Sequence, residues 1–362
     1  MKSITTLLLP LAILLWCASC GRSPQGGNPS PSGNDSPSVN KSNNGSSSAK
    51  KLSIAFITNQ IADFWKIAEV GCLDAAEDLS QDGLQVEALV KMPPEASAVV
   101  QKQIIEDLLA GGVDGIAISP IDADNQKDLI DRAANQVPLI THDSDAPGTK
   151  RLMYIGMDNY KAGRMCGELV KQALPDGGNV IIFIGRLEQD NSKYRRQGLI
   201  DELMGRTPDR TRFDPPDAEL KGDKFTILTT FTDQGKPERC KEQAADAINT
   251  YPKLDAMVGL FEYNPPACYQ ALKQAGKLGQ IKLIGFDENE VTLQAIKDGT
   301  CEGTIVQDPY QYGYQSIKIL ASIIQGDRSV IPENRFIDIP PRKITKENVD
   351  AFWADLKAKT GG

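Results

Sequence analysis

From Lys51 onward the chain repeats one unit, a short apolar run followed by a helical stripe, and this repetition limits the fold more than any other feature. Residues 52–58 are apolar and rich in β-formers. Phe64, Ile67, Ala68, Gly71, Ala75 and Leu79 then recur at the spacing of one helical face. A second strand near 86–90 precedes a helix with Val100, Ile104, Ile105, Leu108 and Leu109 on one side, closed by Gly111 and Gly112. Further apolar runs lie at 115–119, 138–141, 152–156, 179–185, 225–230, 256–260, 282–286 and 303–306, most of them separated by helical segments. Alternation of this kind builds parallel sheets covered by helices on both faces. So many strands exceed one comfortable sheet, and 362 residues suit roughly two domains. The expected fold class is α/β, with two doubly wound parallel-sheet lobes.

The N-terminal fifty residues stand outside this pattern. Lys2 opens a short positive region, and 7–16 is an apolar stretch of signal-peptide length, well short of the ~20 residues that span a bilayer. Ala18 and Ser19 precede Cys20 and Gly21 in a segment that looks like a bacterial lipobox, in which the cysteine is lipidated and becomes the mature N-terminus. Residues 1–19 are therefore expected to be a signal peptide. Residues 20–50, rich in Ser, Asn, Gly and Pro, cannot offset the entropy of ordering and read as a lipidated tether. Cys72, Cys166, Cys240, Cys268 and Cys301 show no CxxC pairing; an exported location permits a disulfide among them without specifying one.

Composition removes several classes of function. A net charge of −8 leaves no broad basic surface for a phosphodiester backbone, so no nucleic-acid partner is expected. The only histidine, His142, puts multi-histidine metal sites out of reach, and neither a metal nor a cofactor is expected. No dinucleotide fingerprint, Walker A sequence or nucleophile elbow occurs. His142, Asp143 and Ser144 adjoin, yet neighbours along a strand point to opposite faces, which argues against a triad and against an enzyme.

The residues just past each strand are informative, because open α/β sheets bind ligands at the carboxyl ends of their strands. At those positions stand Asn59, Asp143-Ser144-Asp145, Asn264, Asp287 and Gln307. Phe64 and Trp65 open the first helix beside Asn59, and Arg195 comes after the 179–185 run. Taken singly, Asn or Asp after a strand is commonly a turn or N-cap residue. Carboxylates and carboxamides at successive strand ends, with aromatic faces beside them, instead suit a neutral polyol with several hydroxyls.

The order of several segments points to a family. "KLSIAFI" at 51–57, the Phe64-Trp65 pair, "SPIDAD" at 119–124, "VPLITHDSDAP" at 137–147 and "YIGMDNYKAG" at 154–163 occur in succession. Arg195-x-x-Gly198, "EYNPPACYQALK" at 262–273, "LIGFDEN" at 283–289 and "GTIVQDPYQYG" at 303–313 continue the series. From Lys51 to the C-terminus the chain closely resembles periplasmic sugar-binding proteins of the ribose-binding type. The resemblance implies a type I periplasmic binding protein fold, its two lobes joined by a three-crossing hinge. The N-terminal lobe would comprise 51–156 plus 308–336, and the C-terminal lobe 157–307 plus 337–362.

It also implies a monomer that binds a monosaccharide in an interlobe cleft. Partners would be the permease and ATPase subunits of an ABC importer or, alternatively, a sensor kinase or chemotaxis receptor. The location would be extracytoplasmic, held to a membrane through Cys20. Carried over by position, the ligand-binding set is Asn59, Phe64, Trp65, Asp143, Ser144, Arg195, Asn264, Asp287 and Gln307, with Arg196 as the alternative to Arg195. Two departures stand out: Ser144 occupies the place of an expected arginine, and 214–224 looks like an added loop.

Overall fold

A computed structural model describes residues 51–360, and in it the apolar runs become the strands of two sheets. The first begins with β1 (Leu52–Ile57), α1 (Asp63–Gln81), β2 (Val86–Lys91), α2 (Ala98–Ala110), β3 (Gly115–Ile118), α3 (Lys127–Ala134), β4 (Leu139–His142) and β5 (Tyr154–Gly156). The chain then enters the second with α4 (Asn159–Ala173), β6 (Gly178–Ile184), α5 (Asp190–Leu203), β7 (Leu220–Lys221), β8 (Phe225–Thr232) and α6 (Pro237–Thr250). It continues through β9 (Ala256–Gly259), α7 (Asn264–Gln274), β10 (Lys282–Phe286), α8 (Glu290–Lys297) and β11 (Gly303–Val306). Last come α9 (Pro309–Ile324) and β12 (Phe336–Asp338), then β13 (Arg342–Ile344) and α10 (Val349–Thr360).

The six-stranded sheet has the order β12-β5-β4-β3-β1-β2, with every pair parallel. The seven-stranded sheet runs β13-β11-β10-β9-β6-β8-β7 and repeats that winding, with β6 where β1 stands and β9 where β3 stands. Only its edge strands β7 and β13 are antiparallel. Alternate residues of each strand supply opposite faces. Ile54 and Phe56 join the core under α1 and α9, whereas Ala55 and Ile57 join the one under α2 and α3. In the second sheet Ile181 and Phe183 face α6 and α7, and Val180, Ile182 and Ile184 face α4 and α5. Two-sided burial explains why the strands read as continuous apolar runs.

Three crossings link the sheets, and the third departs from expectation. The family resemblance assigns Ile337 and Asp338 to the C-terminal lobe. They instead pair with Ile155 and Gly156, and Ile339 N–H still donates to the Gly156 carbonyl, so the crossing falls between Ile339 and Arg342. Within residues 214–224, β7 pairs antiparallel with the outer edge of β8. Cys72, Cys166, Cys240, Cys268 and Cys301 are all buried and unpaired. Cys20 and the expected signal segment and tether lie outside the described residues.

Candidate functional site

The doubly wound order places a crevice at the β1/β3 switch point of one sheet and at β6/β9 of the other. Loops from both converge on an inner cavity of about 50 Å³, reached from a mouth of about 1060 Å³. Asn59, Phe64, Trp65, Asp143, Asp287 and Gln307 from the expected set line the inner cavity. Their roles differ. Trp65 is only 2% exposed and packs edge-on against Phe56 and His142, so most of its ring is core. Its Nε1 donates to Asn59 Oδ1 at 2.9 Å, fixing the loop after β1. Phe64 stands edge-on to Trp65 and Tyr312.

Asp143 and Asp287 occupy the same place in the two halves, directly after β4 and β10, and both have left-handed backbone, with φ of 57° and 65°. That conformation is uncommon without glycine and is tolerated best by Asp and Asn. It turns each acid off its strand end and into the cavity. Asp143 Oδ2 accepts from Ser119 Oγ at 2.9 Å and, across the cleft, from Asn191 Nδ2 at 3.1 Å. Asp287 Oδ1 accepts from Gln307 Nε2 at 2.9 Å, and Tyr312 Oη donates to Gln307 Oε1 at 3.1 Å.

Ser144, Arg195 and Asn264 are not in the cavity wall. Ser144 is fully buried and takes no part in the lining. Asn264 sits at the start of α7, where its Oδ1 accepts from Phe261 N–H and its Nδ2 donates to Asp233 Oδ2, so it shapes the turn. Arg195 lies beneath the cavity and is 1% exposed. Its guanidinium rests 4.0 Å over the Phe286 ring and donates to the Leu260 carbonyl and Asn159 Oδ1. Arg196 donates to Thr230 and to the Asp214 and Pro215 carbonyls, which pins the segment before β7 and commits this arginine outside the cavity wall. Arg195 is thus a buried counter-charge for the acids above it.

The wall also contains groups that the sequence pattern does not single out. Arg186 and Gln189 come from the loop after β6, Asn191 from the first turn of α5, and Phe261, Glu262 and Tyr263 from the turn after β9. The strand-end rule selects those turns, but within 260–264 the residue that enters the cavity is not the asparagine. Arg186 donates to the Gln234 carbonyl at 2.6 Å and, from the opposite lobe, to the Ala96 carbonyl at 2.9 Å.

Burial dominates the electrostatics. It pushes the Asp143 carboxyl up to about 6, opposed by Arg195 and by the Ser119 and Asn191 donors. It pushes Asp287 up to about 7, opposed by Arg195 and Gln307 and reinforced by Asp143 and Glu262. Glu262 is raised by burial as well, and its Oε1 accepts from Asn289 Nδ2. His142, buried with Nε2 3.2 Å from the Ile57 carbonyl, is lowered to about 3 and stays neutral. Among the described residues, no group of three or more His, Cys, Asp or Glu side chains converges closely enough to hold a metal ion. Acceptors, carboxamide donors and aromatic side chains around one cavity suit a small ligand with several hydroxyls.

Residues 54–328 match the family described as periplasmic binding protein domain. The ribose import binding protein of Salmonella typhimurium is 23% identical over 256 residues, covering 68% of this chain and 80% of its own. Its namesake in Bacillus subtilis is 26% identical over 333 residues, 91% of this chain and 95% of that one. Among solved structures, an ABC transporter solute-binding protein from Burkholderia graminis in complex with D-arabinose superposes with a TM-score of 0.73 at 27% identity. That match covers 83% of this chain and 97% of the other.

Proposed function

The chain belongs to the periplasmic binding protein family, and from that premise we propose that it captures one monosaccharide between its lobes and presents it to an ABC importer. One observation carries the reading. Asp143 and Asp287, which follow strands of different sheets, line the same cavity, and Asn191 reaches Asp143 from the opposite lobe. A ligand seated there touches both halves and favours their approach through contacts missing when they separate. The similarity to ribose- and arabinose-binding proteins supports a pentose or close relative. The protein works outside the cytoplasm and releases the sugar unaltered. No helix among the described residues is long and apolar enough to cross a membrane. Attachment is assigned to lipid on Cys20, and Cys20→Ala shifts the protein into the aqueous phase of a detergent partition; a variant that still partitions with detergent removes this assignment.

The test of capture is small-angle scattering with D-ribose, D-arabinose, D-xylose and D-galactose, with calorimetry on the same samples. The expected result is compaction with one-to-one binding by at least one sugar, recovered chemically intact. An unchanged scattering curve at saturation, or a modified sugar, overturns the proposal.

A further inference from the structure

The acids of the cavity are not equally provided for. Asp143 and Asp287 both feel Arg195, and both accept from neutral donors. Glu262 has no such cation. The charged neighbour that acts on it is Asp63, which repels it, and its one donor is Asn289, which reaches Oε1 alone. Arg186, the cation in the cavity wall, is committed to two carbonyls from opposite lobes. Lys66, at the mouth, pairs with Asp63 at 2.8 Å. Glu262 lines the cavity and its mouth, and its Oε2 has no donor from the protein.

An independent feature marks the same cavity as built for a ligand group. Gln189 is 2% exposed and lines the cavity, and its Nε2 has no hydrogen-bond partner. A buried amide N–H is not left open without cost unless a ligand acceptor meets it. The wall thus offers a free buried donor, at Gln189, and an anionic acceptor without a counter-charge, at Glu262. A sugar hydroxyl could satisfy either hydrogen bond, but it leaves the half-buried Glu262 charge without a counter-charge. An ammonium group satisfies the bond and the charge together, and the aromatic faces of Phe64 and Phe261 suit a cationic ring substituent. The acids are spread around the cavity, so a ligand-borne cation fits where a coordinated metal ion does not.

Resting on the sugar-capture reading above, we propose that the preferred ligand is an amino-substituted monosaccharide, its ammonium group held by Glu262 and a hydroxyl or ring oxygen met by Gln189. A charge-assisted hydrogen bond exceeds a neutral one enough to change affinity by about tenfold.

Matched pairs test this by calorimetry: D-ribose with 3-amino-3-deoxy-D-ribose, D-galactose with D-galactosamine, and D-glucose with D-glucosamine. The expected result is that an amino sugar binds about tenfold or more tightly than its hydroxyl twin. Glu262→Gln, checked for folding by its melting curve, brings that ratio close to one, and Glu262→Asp retains part of it. Neutral twins that bind as tightly as the amino sugars overturn this proposal and leave sugar capture standing. The same holds if the ratio survives Glu262→Gln. If no member of any pair binds, sugar capture itself fails, and this proposal with it.

Discussion

At the scale of single residues, Asp143 and Asp287 show how a site is held at the expense of stability. Each is a non-glycine residue in left-handed backbone with a buried carboxyl pushed upward in pKa. A buried acid whose pKa is raised in the folded state contributes its full stability below the unfolded value and loses it as pH rises through the folded one. For Asp287 that window runs from 3.8 to about 7. The ligand-free protein is therefore expected to melt at progressively lower temperature across this interval. Asp287→Asn removes the ionisation yet keeps an oxygen for Gln307 Nε2. It should raise stability at pH 8 by about 1–3 kcal/mol while weakening sugar binding by about one to two decades. Chemical denaturation at pH 4 and pH 8, with calorimetry on both forms, checks the pair of effects. A variant less stable than the wild type at pH 8 contradicts the assignment of Asp287 as a strained ligand-binding acid.

At the scale of elements, legibility in the sequence depends on how each strand is buried. β1, β3, β4, β6, β9, β10 and β11 lie inside their sheets with helices on both faces, so their apolar runs announce them. β7, β12 and β13 have two or three residues at sheet edges, half exposed, and no pattern of that length distinguishes a strand from a loop. For that reason the third crossing lies a few residues beyond its expected place. The strand-end rule fares better for turns than for side chains. It points to the segment after β9, but Asn264 is occupied by Phe261 N–H and Asp233, and Glu262 and Tyr263 face the cavity instead. Arg195 stands in the expected segment but deeper than expected. Gly198 and Gly163 mark a close α5–α4 crossing beside it. A Cβ there would lie 2.0 Å from the Tyr160 carbonyl oxygen, and one at Gly163 would lie 2.0 Å from that of Arg195. The paired glycines let the two helices touch, which brings the Arg195 backbone close against α4.

At the scale of the whole molecule, protein contacts hold the lobes together across the cleft. Contacts that cross the cleft include Arg186 to the Ala96 carbonyl at 2.9 Å, Asn191 to Asp143 at 3.1 Å, and the Lys193–Asp124 pair at 3.4 Å. They are unequal. Asp124 is largely exposed, so its pair with Lys193 is screened and contributes about 0–1 kcal/mol. Arg186 is 7% exposed and donates to both lobes at once, a charged donor on neutral carbonyls that contributes roughly 1.5–3 kcal/mol. Interactions present only when the lobes meet act on the open–closed equilibrium and on the rate of ligand escape. Arg186→Ala is therefore expected to enlarge the ligand-free protein in solution scattering and to speed sugar dissociation by about ten- to a hundredfold. Lys193→Ala should change dissociation by no more than about fivefold. Stopped-flow release of bound sugar separates the two, because tryptophan fluorescence reports on Trp65 at the cavity wall. Equal rates for both variants would mean that closure rests on ligand contacts alone and that Arg186 merely fills the mouth. A large effect confined to Arg186→Ala, together with an expanded ligand-free state, identifies it as the bond that holds the two halves together before sugar arrives.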